Sequence, residues 1–111
     1  MFYYNLILSG DTSPTVIKDY IATEALISNV NPQMAIGVAQ AESRLNSNAI
    51  GDHGTSFGLY QIHLPAHSDV TKEQAQNIIF ATQWSLKEMK ENGCRIWSTC
   101  ENVMKSLVND G

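Results

Sequence analysis

The chain has 111 residues, with seven Lys and Arg against eleven Asp and Glu, and 43% of its side chains are hydrophobic. That length suits one domain, residues 1–111, with a modest core. The net charge of −4 argues against nucleic acid, which needs basic patches to neutralise phosphates, and no apolar run is long enough to span a membrane.

Near the N-terminus, FYYNLIL is short and lacks a basic leader, so no signal peptide is evident. It reads as a first strand or as an apolar segment docked on the core. Asp11, Thr12 and Ser13 before Pro14 announce a helix over residues 14–30. Its expected core stripe is Ile17, Ile21, Ala25 and Ser28, because the alternative stripe from Val16 and Tyr20 runs into Glu24. Asn29 to Pro32 breaks this helix, since a residue before proline avoids the helical region. A second helix then runs from Pro32 to about Arg44, with Asn31 as its cap and Pro32 in the first position.

After this helix comes a loop rich in Gly, Asn and Ser. Gly51, Gly54 and Gly58 permit tight turns and close backbone approach. LYQIH then alternates, so as a strand it puts Leu59, Gln61 and His63 on one side and Tyr60 and Ile62 on the other. Leu64 to His67 forms a turn. Thr71 and Gln74 make a capping box for a short third helix. A long helix from about Gln76 to Asn92 carries an expected stripe of Ile79, Thr82, Leu86 and Met89, with Phe80 and Trp84 as a second apolar edge, and Gly93 ends it. Ser98 with Glu101 suggests a capping box for a last helix that turns Cys100, Val103 and Leu107 to one face. The fold class is mainly α, of the α+β kind: a small helical bundle with a short β element between the second and third helices.

Glu42 is the candidate acid. Helical steps back from it reach Ala39, Val38 and Ala35, so its carboxyl projects from an apolar face of small side chains. Burial disfavours the charged form of a carboxylic acid, and an acid that stays protonated near neutral pH can protonate a leaving group. A helix-end glutamate can equally turn outward to water. Gln61 offers donors and an acceptor that suit sugar hydroxyls and N-acetyl groups.

Glu42-Ser43, then Asn48-Ala49, then Ser56-x-Gly58-Leu59-Tyr60-Gln61-Ile62 resembles the catalytic core of the lytic transglycosylases, relatives of the goose-type lysozymes. More loosely, the likeness runs from about Tyr20 to Cys100, and SFGLYQIHLPAH with the late Gly-Cys-x-x-Trp-x-x-Cys looks most like small phage-type or secretion-associated members. The resemblance implies a lysozyme-like fold and cleavage of peptidoglycan glycan strands between N-acetylmuramic acid and N-acetylglucosamine. It also implies action outside the cytoplasm, at the periplasm, cell surface, secreted space or virion. It makes Glu42 the sole catalytic acid and leaves a 1,6-anhydromuramyl end, without a cofactor. Ser43, Ser56, Tyr60, Gln61 and His63 become candidate substrate-binding residues. Ser43 suits a helix-end hydrogen bond equally well, Tyr60 suits the core, and His63 suits a structural hydrogen bond. The distal Tyr-Asn-Ala-Gly motif of many members is absent; Trp84 or Trp97 can line a groove instead, with core packing favoured for Trp84.

Cys94 and Cys100 form either a disulfide, worth roughly 2 kcal/mol in the loop-entropy model, or two reduced thiols. The extracytoplasmic setting that the resemblance implies favours the disulfide. With His53 and His67 they make no recognisable metal set, so no metal is expected. Two rival functions remain. A hydrolytic lysozyme of the same fold would use Asp52 or Asp69 as a second carboxylate, although both read as turn residues in water. A non-catalytic peptidoglycan-binding module would keep the groove without turnover.

Overall fold

A computed structural model describes residues 2–110. The described residues form six α-helices and one three-stranded antiparallel sheet. The helices are α1 (Phe2–Leu8), α2 (Pro14–Ile27), α3 (Pro32–Ser43), α4 (Lys72–Ala75), α5 (Ile78–Asn92) and α6 (Cys100–Asp110). Between α3 and α4 lie β1 (Ile50–Gly51), β2 (Ser56–Phe57) and β3 (Ile62–His63), in that order across the sheet. The architecture is the expected mainly α, α+β arrangement.

The helices start where local chemistry favours a start. Asn31 accepts from the amides of Gln33 at 2.8 Å and Met34 at 3.2 Å, which satisfies two of α3's free donors. Thr71 and Gln74 exchange both bonds of a capping box at α4. Asn77 accepts from the amide of Phe80 at 2.9 Å. This second cap starts α5 at Ile78 rather than at Gln76, and divides the expected long helix from the short α4 before it. Gly93, with φ of 71°, closes α5 as the sequence suggests.

Several expected core faces shift. FYYNLIL is a helix, with half-buried Tyr3, Tyr4, Leu6 and Ile7 at helical spacing, and Tyr4 packs against Tyr20 with ring centroids 6.4 Å apart. On α2 the buried residues are Ile17, Tyr20, Ile21 and Ala25, whereas Ser28 is only half-buried, as the cap that ends the helix. A helix that packs on three neighbours, here α1, α3 and α5, buries a stripe wider than one row, so Tyr20 goes inside while Glu24 stays half-buried at the edge. On α5 the inward face is Ile78, Ala81, Thr82, Ser85, Leu86 and Met89, which includes Thr82, Leu86 and Met89 of the expected stripe, whereas Ile79 and the edge residues Phe80 and Trp84 are half-buried.

α3 is the spine of the molecule. Ala35, Val38 and Ala39 are fully buried. On another side, Gly37 lets α6 approach so closely that a Cβ there would stand 2.8 Å from Val103 Cγ1. The helix ends as Arg44 (φ 56°) and the buried Leu45 (φ 61°) turn left-handed, which swings the chain towards the sheet.

The expected alternation through LYQIH holds only for Ile62 and His63. Leu59 and Tyr60 are both fully buried, and Gln61 has a φ of 49°. The Gln61 amide donates to Gly58 O at 3.1 Å, so residues 58–61 form a tight turn, not a pleat. Gly58 enters this turn with a φ of 84°, and its backbone lies directly under α4.

A methyl group at Gly58 would need that left-handed backbone and would stand 1.8 Å from Ala75 O. Gly58→Ala should therefore lose about 3 kcal/mol or more in denaturant unfolding, with a melting temperature lower by on the order of 10 °C. A loss below about 1 kcal/mol would show that α4 retreats freely and that the close approach is not a constraint.

Candidate active site

Glu42 lies in the last turn of α3, half-buried. Its apolar neighbours on the helix face inward to the core, so the carboxyl itself emerges at the rim instead of among them. Its Oε2 accepts from Thr99 Oγ1 at 2.6 Å, a bond between residues 57 positions apart. The carboxyl opens onto a pocket of about 470 Å³ lined by Glu42, Asp52, Gln61, His63, Ile96, Trp97 and Ser98.

The sheet supplies one wall. Its register aligns Gly51, Ser56 and His63 in a single cross-strand row. Asp52 follows Gly51 in the β1–β2 turn, with a φ of 50°. Ser56 is fully buried and donates its hydroxyl to Asp52 Oδ2. His63 Nδ1 lies 3.0 Å from the same Ser56 oxygen and 3.8 Å from Asp52 Oδ2. Asp52 is the solvated turn residue that the sequence suggests, 68% exposed, and the Ser56 hydroxyl tethers it at the edge of the pocket. Asp69 borders a different pocket, with Trp84, Lys87, Glu88 and Glu91.

The floor comes from the turn at residues 58–61. Gln61 donates both amide hydrogens to main-chain carbonyls, Ala49 O and Gly58 O, each at 3.1 Å. Its carbonyl oxygen remains the acceptor it can offer a ligand. The opposite wall is the loop between α5 and α6. Cys94 and Cys100 are bonded, with Cα atoms 5.4 Å apart, and close this loop. Trp97 is buried, and its indole Nε1 donates to Tyr60 O at 2.9 Å.

Of the expected substrate-binding residues, Gln61 and His63 line the pocket. The other three lie behind it. Ser43 Oγ is 2.8 Å from Leu59 O and 3.1 Å from Ala39 O, so its one hydrogen bonds main chain at the helix end. Ser56 is covered by the Asp52 and His63 side chains it holds. Tyr60 is wholly buried and donates to Ala35 O at 2.9 Å; burial pushes its phenol above the usual range, so it stays neutral. It is a core residue and not a groove residue. Thr99 and Ile96 carried no sequence signal of their own, and Ser98 was expected only to cap α6, which starts instead at Cys100, directly after Thr99. The nearest hint was the spacing of the two cysteines, which marks a closed loop without saying what it faces. Among the described residues, no group of three or more His, Cys, Asp and Glu side chains could hold a metal ion.

A helix-borne acid that faces a small antiparallel sheet across an open polar cleft defines a domain of lysozyme-like class. Residues 19–91, about two thirds of the chain, match the transglycosylase SLT domain, and the chain belongs to that family. Neither curated proteins nor solved structures give a match. Membership supports transglycosylase-type cleavage of peptidoglycan at the level of the family, with peptidoglycan as the substrate class and action outside the cytoplasm. No helix among the described residues is long and apolar enough to cross a membrane.

The burial of Tyr60 separates its two expected roles. Tyr60→Phe removes the bond to Ala35 O and should cost about 1–2 kcal/mol in denaturant unfolding, with peptidoglycan sedimentation unchanged. Weakened sedimentation at wild-type stability would restore Tyr60 to the groove.

Proposed function

We propose that the chain is a lytic transglycosylase that cleaves the β-1,4 bond between N-acetylmuramic acid and N-acetylglucosamine, with Glu42 as both acid and base. The observation that supports this best is the Glu42 carboxyl itself. It stands at a helix end on the rim of a polar pocket, within the segment that matches the SLT domain. Protonated Glu42 gives its proton to the glycosidic oxygen, and the bond from that oxygen to the muramyl anomeric carbon breaks. The resulting carboxylate takes the proton of the muramyl 6-hydroxyl as O6 bonds to the anomeric carbon. Glu42 is regenerated, and no water is consumed.

In this reading Gln61 and His63 contact the glycan from the sheet side, while Trp97 and Ser98 contact it from the disulfide-closed loop. The neutral carbonyl of Gln61 suits an N-acetyl N–H. Action at the periplasm, cell surface, secreted space or virion follows from the substrate.

A second reading, hydrolysis, is favoured by Asp52. A glycoside hydrolase works with two carboxylates across the scissile bond. Asp52 borders the same pocket as Glu42 and is tethered by Ser56, so a second fixed carboxylate is at hand.

Digestion of purified peptidoglycan followed by mass spectrometry tests both. Glu42→Gln keeps shape and removes the titratable proton, so cleavage should vanish while the melting temperature stays near wild type. Substantial residual cleavage would sink the role of Glu42. Wild-type products should carry 1,6-anhydromuramyl ends, lighter by one water than hydrolysed ends, and Asp52→Asn should still form them. Ordinary reducing ends that disappear in Asp52→Asn would establish the hydrolase instead.

A further inference from the structure

We infer that Thr99 is a positioning residue for the catalytic acid, held on target by the Cys94–Cys100 loop. The inference rests on the reading of Glu42 as that acid. The loop and α6 lie beyond residue 91, where the SLT match ends, so family membership assigns them no role.

Thr99 occupies the entry position of α6, where its carbonyl accepts from the Val103 amide at 3.0 Å. A threonine there ordinarily turns its side chain back to its own helix amides. Here the hydroxyl donates to Glu42 Oε2 instead, at a length within the range of a charge-assisted O–H···O bond. The bond fixes the carboxyl rotamer. It leaves Oε1 to carry the proton that moves to and from substrate. It also stabilises the carboxylate at the stage when the proton has left and the base must act.

Three constraints keep Thr99 in place. The disulfide closes the loop that contains it, with the bridging Cys100 its immediate neighbour. Within the loop, the Trp97 amide donates to Cys94 O at 3.0 Å and the Cys100 amide to Trp97 O at 3.1 Å, while the indole is anchored on Tyr60 O. Beyond Thr99, Val103 seats α6 against Gly37 of α3, the helix that carries Glu42. Donor and acceptor thus ride on two helices whose separation is fixed one turn away. The same loop presents Ile96, Trp97 and Ser98 to the pocket, so any opening of it disturbs a wall of the site as well as the acid.

The test is steady-state cleavage of soluble glycan chains by Thr99→Val, Thr99→Ser, Glu42→Gln and the double variant Cys94→Ala/Cys100→Ala. Thr99→Val keeps the shape and loses the donor; kcat should fall about tenfold with KM nearly unchanged. Thr99→Ser keeps the donor and should recover kcat to within about threefold of wild type, a rescue that a packing role would not give. The double cysteine variant should lose kcat at least as far as Thr99→Val. Wild-type kcat in Thr99→Val, with Glu42→Gln inactive, overturns the positioning role alone. Wild-type kcat in the double cysteine variant overturns the part assigned to the loop. An active Glu42→Gln overturns the reading of the acid, and this inference with it. If Thr99→Val does not fold, Thr99→Ala takes its place, with the same tenfold fall expected and the same wild-type kcat overturning.

Discussion

The hydrogen bonds at the two ends of Tyr60 hold the site together. Its hydroxyl donates to Ala35 O on α3, and its carbonyl accepts from the Trp97 indole. Its ring also packs against the indole, with centroids 5.9 Å apart. One residue therefore ties the acid-bearing helix, the turn beneath the pocket and the disulfide-closed loop. Both bonds are buried, so loss of either would leave a polar group unpaired in a low-dielectric interior. Gln61 and His63 reach the pocket because the residue before them is immobilised in the core.

Around this anchor the backbone is bent more sharply than L-residues prefer. Arg44, Leu45, Asp52, His53 and Gln61 all have positive φ. Such conformations persist only where surrounding bonds over-determine them, and they gather at functional sites. Here the supports can be named. Ser43 ties the helix end to Leu59 O, Ser56 holds Asp52, and the Gln61 amide bonds back to Ala49 and Gly58. The serines and the glutamine of the motif are in large part the struts of the pocket. The groups it exposes are the two carboxylates, the Gln61 carbonyl, His63 and the loop residues.

That division explains how the motif misleads when read one residue at a time. Ser43, Ser56 and Tyr60 sit among polar neighbours in sequence and look like ligands for a polar substrate. In the fold, each meets a main-chain carbonyl or a side chain that needs support, and buried polar groups are bonded first to such partners. Asp52 goes the other way. In a Gly-rich loop it looks like any turn aspartate, and only the sheet register, which aligns Gly51, Ser56 and His63, tethers it at the pocket.

The sequence by itself determined what depends on neighbours a few residues away. Asn31 with Pro32, Thr71 with Gln74, and Gly93 start or stop helices through bonds that span one turn. Helical periodicity placed Ala35, Val38 and Ala39 behind Glu42, and the motif order from Glu42 to Gln61 pointed to the family. Only the tertiary structure decided which side chains surround the acid. The contacts from Tyr60 to Ala35, Trp97 to Tyr60 and Thr99 to Glu42 join residues 25, 37 and 57 positions apart. A bond over such a distance leaves no mark in local composition, because its geometry is set by how α3, the sheet and α6 pack, and by the closeness that Gly37 and Gly58 allow.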